Sequence, residues 1–276
     1  MPGFVHVLDP YHGVARGWDD AATSLRYLAE VIALEGPHTI AAFILETVTG
    51  TNGVLVPPDG YLQGVRALCD KHGILLIADE VMAGFGRTGR WFAIEHWGVV
   101  PDLMTMAKGL TSSYIPLGAV GVRRHIADHF KDRMFPGGLT YSGHPVACAA
   151  ALATIAGYEE DDLIARARES GTLLKSLHAD LAARHPSVGA VRSIGLFGVI
   201  ELVRNRQTME PMAPFNGTSP EMAALGKFFR EEGLFTFLRW HYFFTNPPLC
   251  ITAEELREGI AIVDRALAIT DQAVQA

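Results

Sequence analysis

The chain has 276 residues, 49% of them apolar, and its 23 basic and 30 acidic residues give a net charge of −7. The acidic balance argues against a nucleic-acid surface, and no apolar run is long enough to predict a membrane span. We expect no secretory signal peptide, because no basic segment precedes an apolar stretch near Met1. Cys69, Cys148 and Cys250 lie far apart, which predicts reduced thiols in a cytoplasmic protein and neither a disulfide framework nor a metal site.

The first half of the chain alternates between helical and strand-like apolar patterns. Helices are predicted over 19–36 and 58–73, and the second ends at Gly73. Short apolar runs predict strands over 39–46, 74–79, 102–107 and 116–122. Continuous apolar strands that alternate with helices are typical of an α/β sheet covered by helices on both faces.

The second half is organised differently. Helices are predicted over 143–158, 159–186, 219–233 and 252–274, and the third of them starts at Ser219-Pro220. Strand-like segments lie between them, over 188–203 and 234–248. We therefore expect a domain boundary near residue 160, with one domain over 1–159 and a small α+β domain over 160–276.

Two of the predicted strands end in charged side chains. The run 74–79 ends in Asp79 and is followed by Glu80, and the run 102–107 is followed by Lys108. Ligands of α/β sheets bind at such strand ends, and an ionised acid there needs a positive partner or several hydrogen bonds. A salt bridge at the sheet edge also meets that need, so spacing alone leaves a structural and a functional interpretation open.

The glycine loop after the acidic strand does not predict a nucleotide site. GFGRTG (84–89) matches G-x-G-x-x-G, but Asp79 and Glu80 would repel a pyrophosphate, and no helix is predicted to start at Gly89. The chain also lacks the G-x-x-x-x-G-K-[ST] sequence of a P-loop ATPase.

One cofactor needs an acid and a lysine together. Pyridoxal phosphate requires a lysine amine for its Schiff base and an acid that keeps its ring nitrogen protonated. Asp79 and Lys108 supply these two groups. The lysine, once the substrate has released it, is suited to carry a proton between carbon atoms.

Four segments of the chain resemble class III, or ω-type, pyridoxal-phosphate aminotransferases. They are ETVTGTNGVLVPPDGYL, LLIADEVMAGFGRTGRWFAIEHWGVVPDLMTMAKGL, PLGAV and TYSGHPVACAAALA. The resemblance implies a type I pyridoxal-phosphate transferase fold, with a large α/β domain and a small C-terminal domain. It also implies a homodimer whose two subunits share each active site.

The resemblance further implies roles for individual residues. Lys108 matches the Schiff-base lysine, Asp79 the acid on the pyridine nitrogen, and Val81 the apolar residue on one face of the ring. Thr140 matches the hydroxyl that reaches the cofactor phosphate of the partner subunit. Glu46 matches an acid close to the ring and the substrate.

One further residue has a predicted structural role, and three others depart from the family pattern. Strand alternation points Glu80 away from Asp79, and we expect Glu80 to hold the glycine loop by hydrogen bonds. Thr47 replaces the usual proline, and Met82 replaces a polar residue that some relatives have near the ring hydroxyl. Thr51 stands where ornithine- and GABA-type relatives carry an acid, which argues against those substrates.

The resemblance begins part-way through the family pattern. Members of the family have a longer N-terminal part, with a Gly-Ser phosphate cup and an aromatic residue stacked on the ring. Tyr11-His12-Gly13 imitates the stacking motif but lies too close to Asp79. We therefore expect the N-terminal part of the large domain to be missing, and residues 1–276 alone to hold the cofactor weakly.

The tail RWHYFFTNPPLCIT (239–252) resembles the taurine–pyruvate and β-alanine–pyruvate branch of the family. Arg239 is then the candidate for binding a substrate carboxylate, since a guanidinium does so bidentately. The alternative is a surface or interdomain arginine. Trp240 and His241 are weaker candidates for the same pocket.

Together these features predict a transaminase that moves an amino group from an ω-amine or amino acid, of the taurine or β-alanine type, to pyruvate or another 2-oxo acid. An aminomutase, a decarboxylase and a phospholyase share the cofactor and stay open. A catalytically inactive fragment is the alternative from a different class.

Overall fold

A computed structural model describes residues 3–10 and 20–274. The chain divides into two compact units. The first unit consists of Met1–Gly50, Leu55–Phe85 and Phe92–Glu160, and the second of Thr51–Val54, Gly86–Trp91 and Asp161–Ala276. Two short segments from the first half of the chain thus cluster with the second unit. Tyr11, His12 and Gly13 lie outside the described residues.

The first unit is built on a four-stranded sheet. Its strands, in spatial as well as chain order, are β1 (Ala42–Glu46), β2 (Leu75–Asp79), β3 (Leu103–Met106) and β4 (Ala119–Val122). β1, β2 and β3 are parallel, and β4 runs antiparallel to β3. The parallel strands therefore finish at one edge of the sheet.

Three of the described helices of the first unit follow predicted segments closely, whereas the short helix Arg124–His129 was not predicted. The helices of this unit are α1 (Ala21–Glu35), α2 (Tyr61–His72), α3 (Arg124–His129) and α4 (Pro145–Glu160). The Asp20 side chain caps α1 by accepting the Thr23 N–H. Gly73 follows the last residue of α2 and caps the helix. Its φ of 68° lies in the left-handed region, which glycine adopts without a steric clash from a Cβ atom.

Helices cover only one face of this sheet within the described residues. Leu28 and Ile32 of α1 join Leu62 and Val65 of α2 in a buried cluster against Leu76 of β2. On the opposite face of the sheet, apolar side chains of the strands are partly exposed to solvent. Ile44 is 56% exposed and Val120 is 57% exposed. Within the described residues, this second face is therefore the more exposed one, and the prediction of helical cover on both faces stays a prediction.

The second unit contains an antiparallel sheet with helices packed on it. Its strands are β5 (Val188–Ile194), β6 (Phe197–Asn205), β7 (Glu210–Pro211), β8 (Leu238–Arg239) and β9 (Tyr242–Phe244). The order is β5-β6-β9-β8, and β7 pairs with β6. The helices are α5 (Leu163–Arg184), α6 (Pro220–Glu231) and α7 (Ala253–Asp271).

Capping side chains define the N-terminal ends of two of these helices. Ser219 caps α6 by accepting the Met222 N–H, and Pro220 occupies the first helical position, as the sequence predicts. Thr252 and Glu255 form a reciprocal capping box at the start of α7. No helix of the described chain is both long and apolar enough to span a bilayer.

The second unit contains a buried histidine that makes its stability sensitive to acid. His178 on α5 is 1% exposed, and its Nε2 lies 2.9 Å from the Thr245 hydroxyl. Its Nδ1 has no hydrogen-bond partner among the described residues. Burial lowers the pKa of His178 to about 4, because an imidazolium without solvent or a countercharge is disfavoured.

We expect the free energy of unfolding to fall by about 2 kcal/mol between pH 8 and pH 5 because of this residue. The unfolded histidine binds a proton below pH 6.5, whereas the folded one does so only below about pH 4. The stabilisation is therefore complete above pH 6.5 and is lost as the pH falls toward 4. Urea denaturation of wild type and His178→Gln at several pH values measures the difference. Equal pH slopes for the two proteins would contradict the assignment, and the exposed His38→Gln serves as the control.

Candidate active site

Three polar side chains form a row across the ends of the parallel strands. Glu46 of β1 pairs in register with Asp79 of β2, and Asp79 pairs with Thr105 of β3. Residues paired in this way point to the same face, here the face that helices leave open. Asp79 and Thr105 are half-buried and Glu46 is exposed. The row therefore lies where parallel sheets bind their ligands.

Asp79 is held by its own chain. Its Oδ1 accepts the backbone N–H of Val81 at 2.9 Å. No other hydrogen bond or ion pair to this carboxylate occurs between residues 20 and 274, so the second oxygen is available to a ligand. The side-chain hydroxyl of Thr105 beside it is buried and has no partner among the described atoms. Sequence reasoning missed Thr105, since a threonine in an apolar strand carries no signal of its own.

Lys108 lies just beyond the end of β3, in a strained backbone conformation. Its φ is +44°, in the left-handed region that side chains disfavour. The chain is fixed at the next residue, where the Gly109 carbonyl accepts the Tyr158 hydroxyl at 2.9 Å. A Cβ at Gly109 would lie 2.6 Å from the Cβ of Phe85, which explains the glycine. Strain maintained by the surrounding packing is a feature of functional sites.

The Lys108 side chain is exposed and has no ion-pair partner within the described parts of the chain. The alternative of a salt bridge between Asp79 and Lys108 is therefore not what the structure contains. An unpaired amine and a half-satisfied carboxylate at one sheet edge are both free to bind a ligand.

Glu80 points to the opposite face of the sheet and has a structural role. It is fully buried, and its carboxylate accepts the Thr47 hydroxyl at 2.8 Å and the N–H groups of Ala93 and Ile94 at 2.9 and 2.8 Å. Burial raises the pKa of the Glu80 carboxyl, although these hydrogen bonds oppose the shift. The expected structural role is confirmed, but the side chain holds the short 3-10 helix Ala93–Trp97 after the glycine loop. Within the loop, Gly84 donates its N–H to the Glu80 backbone carbonyl.

Glu46 is oriented by the loop that follows β1. Its Oε2 accepts the Gly50 N–H at 2.8 Å. A Cβ at Gly50 would lie 2.2 Å from the sulfur of Met82, so Met82 covers this backbone closely. A cavity of about 210 Å³ includes Glu46 and Thr47 in its lining, beside the edge of β1 that carries no neighbouring strand in the described chain.

Two further predicted site residues, Thr140 and Arg239, belong to other elements of the chain. Thr140 is exposed in the loop before α4, and no hydrogen bond within the described residues joins it to the strand ends. Arg239 belongs to β8 of the second unit, where its guanidinium carbon lies 4.3 Å from the centre of the Trp240 ring. Within residues 3–10 and 20–274, no group of three or more His, Cys, Asp or Glu side chains is arranged to hold a metal ion.

Comparison with known proteins identifies similar chains. A sequence model of the class-III aminotransferase family matches residues 1–267. The structure of a taurine:2-oxoglutarate aminotransferase from Bifidobacterium kashiwanohense, in complex with PLP and glutamate, is 42% identical and superimposes with a TM-score of 0.93. That match covers 100% of this chain and 63% of the other.

Two curated relatives are similar at comparable levels. An omega-aminotransferase of Caulobacter vibrioides is 43% identical over 88% of this chain and 54% of its own length. A putrescine–pyruvate aminotransferase of Pseudomonas aeruginosa is 39% identical over 100% of this chain and 61% of its own length. The chain thus spans little more than half to three-fifths of these relatives. The structural match confirms the predicted α/β fold.

Proposed function

The chain belongs to the class-III aminotransferase family, and from that premise we propose that it contributes to pyridoxal-phosphate-dependent transamination. The amino group would pass from an ω-amine or amino acid of the taurine or β-alanine type to pyruvate or another 2-oxo acid. The similar proteins that are named as a taurine:2-oxoglutarate aminotransferase, an omega-aminotransferase and a putrescine–pyruvate aminotransferase support this substrate class. Because the chain spans about three-fifths of their length, the activity concerns the complete enzyme.

The observation that carries the proposal is that one carboxylate oxygen of Asp79 and the amine of Lys108, at the same sheet edge, have no partner among residues 3–10 and 20–274. These two groups fit the ring end of pyridoxal phosphate, and the unpartnered Thr105 hydroxyl adds a polar atom beside them. When bound, the cofactor supplies a protonated ring that withdraws electrons from the substrate carbon. In this proposal Val81 covers one face of the ring, and Thr140 reaches the phosphate from a partner subunit.

The chain's own residues would each perform a defined task. Asp79 keeps a proton on the ring nitrogen, because a carboxylate next to the nitrogen favours its cationic form. The Val81 N–H orients that carboxylate through the bond to Oδ1. The Lys108 Nζ would hold the cofactor and would accept and return the substrate proton. Glu46, held by the Gly50 N–H, borders the substrate side.

Asp79→Asn tests the proposal. The substitution keeps the shape and the Val81 hydrogen bond but removes the charge, and a hydrogen bond to a charged group is worth about 1.5–3 kcal/mol. In the complete enzyme we expect amino transfer from β-alanine to pyruvate, measured as alanine formed, to slow at least about tenfold. Unchanged rates would assign Asp79 a purely structural role. A product other than alanine would favour the decarboxylase, mutase or phospholyase alternatives.

The proposal also includes a homodimer. α4 is apolar all round, yet Val146 is 60% exposed and Leu152 is 68% exposed, and the preceding loop exposes Leu139 and Tyr141. A helix without a polar face is normally buried, so another surface is expected to cover it. In this proposal a second copy of the chain covers the exposed surface of α4, because the two subunits share each active site. The three free cysteines support a reducing, cytosolic location.

Sedimentation velocity tests the dimer. We expect the complete wild-type enzyme to sediment as a dimer and its Leu152→Glu variant to shift toward monomer, because a charge would be buried at the interface. Leu34→Glu, at an 84% exposed apolar position on α1, is the matched control and should leave the dimer intact. A monomeric wild type that binds the cofactor normally would contradict this part of the proposal.

A further inference from the structure

The hairpin that joins β8 to β9 has an unusual residue in its turn. Arg239 pairs with Tyr242, so the turn consists only of Trp240 and His241. Two-residue hairpin turns favour Gly or Asn where φ is positive. Trp240 nevertheless has φ of +52°, which is strained for an aromatic residue.

Hydrogen bonds of His241, the second residue of the turn, hold it against β6. The Nε2 of His241 lies 3.0 Å from Oε1 of Glu201, whose other oxygen accepts a 2.7 Å bond from Arg192. The His241 carbonyl accepts the Leu202 N–H at 2.7 Å. Burial opposes ionisation of Glu201, but the hydrogen bonds and charges of His241 and Arg192 outweigh it and lower its pKa to about 2. The turn is therefore anchored to β6 by a charged group.

The strained backbone brings the indole against the Arg239 guanidinium. The ring centre lies 4.3 Å from the guanidinium carbon, within the range of a cation–π contact. Phe215 supports the indole at 4.2 Å between ring centres, and Tyr242 meets it edge-on at 5.7 Å. Trp240 is thus fixed by its neighbours and in turn restricts the side chain of Arg239.

Arg239 itself has no carboxylate partner in the described chain. Stacking occupies the face of a guanidinium and leaves its edge, with the N–H donors, free for a planar anion. We propose that Trp240 is a positioning residue that holds Arg239 with this edge toward the carboxylate of a 2-oxo acid. This inference rests on the substrate class proposed above.

The test compares two substitutions at Trp240. Trp240→Gly removes the indole and keeps the hairpin, because glycine adopts positive φ without strain. Trp240→Phe keeps an aromatic ring over Arg239. Ligand-observed NMR gives the affinity of each protein for pyruvate and for its uncharged methyl ester, and thermal unfolding verifies that the variants are folded.

We expect Trp240→Gly to weaken pyruvate binding about three- to tenfold, and Trp240→Phe to stay within about twofold of wild type. Binding of the methyl ester should be the same in all three proteins. Equal pyruvate affinity in Trp240→Gly and wild type would overturn the inference, as would an equal loss for pyruvate and the ester.

Arg239→Ala separates this inference from the proposed substrate class. One outcome is that Arg239→Ala loses the preference for pyruvate over its methyl ester while Trp240→Gly keeps it. In that case only the role of Trp240 is wrong. If Arg239→Ala also binds pyruvate like wild type, the assignment of Arg239 fails and the inference fails with it.

Discussion

Lys108→Arg should lower amino transfer by about 10²–10⁴-fold, the range that a positioned acid–base group contributes. Arginine keeps the positive charge and nearly the same length, but its guanidinium stays protonated and cannot act as a nucleophile or proton carrier. The strained backbone at this position is the same for both residues, because φ of +44° disfavours either side chain. A lower rate of amino transfer in Lys108→Arg should therefore reflect the loss of the amine and not a change in the fold.

A chemical label measures the same amine directly. Borohydride reduction in the presence of pyridoxal phosphate, followed by peptide mapping, should fix the label on Lys108. The exposed Lys175 of α5 is the matched control, and Lys175→Ala should leave both labelling and activity unchanged. Labelling of any other lysine, or a Lys108→Arg enzyme with wild-type rates, would overturn the assignment.

Glu80→Ala should destabilise the first unit by about 3 kcal/mol or more. The substitution leaves the Thr47 hydroxyl and the N–H groups of Ala93 and Ile94 buried without an acceptor. Each unsatisfied buried donor costs about 1–3 kcal/mol, and relief from burying the carboxylate offsets only part of that sum. Urea denaturation followed by tryptophan fluorescence measures the change, since Trp97 ends the 3-10 helix that Glu80 holds.

Glu95→Ala is the control in the same helix. The Glu95 carboxylate accepts the Phe92 N–H at an exposed position, so its removal should cost about 1 kcal/mol, as for other helix caps. A Glu80→Ala protein that unfolds at the same urea concentration as Glu95→Ala would show that the buried hydrogen bonds contribute little. Thr47→Val should fall between them, because it removes one of the three hydrogen bonds that the Glu80 carboxylate accepts.

Much of this protein could be predicted from the sequence by itself. Most of the described helices and strands lie where apolar periodicity and caps predict them, as with Gly73 after α2 and Ser219-Pro220 before α6, but α3 and β7 were not predicted. Such signals are local, since a cap or a stop depends on residues within one turn. The charges at the ends of β2 and β3 were also recognisable, because strand composition defines where each strand stops.

Only the tertiary structure decided which of these groups meet. Register aligns Glu46, Asp79 and Thr105 in one row, and neither the pairing nor the unpartnered hydroxyl of Thr105 follows from any local pattern. The same holds for the bond from Thr47 to Glu80, which joins residues 33 positions apart. The open sheet face and the left-handed Trp240 likewise depend on distant neighbours. Propensity acts within a few residues, whereas pairing, burial and strain depend on contacts between segments that are remote in the chain.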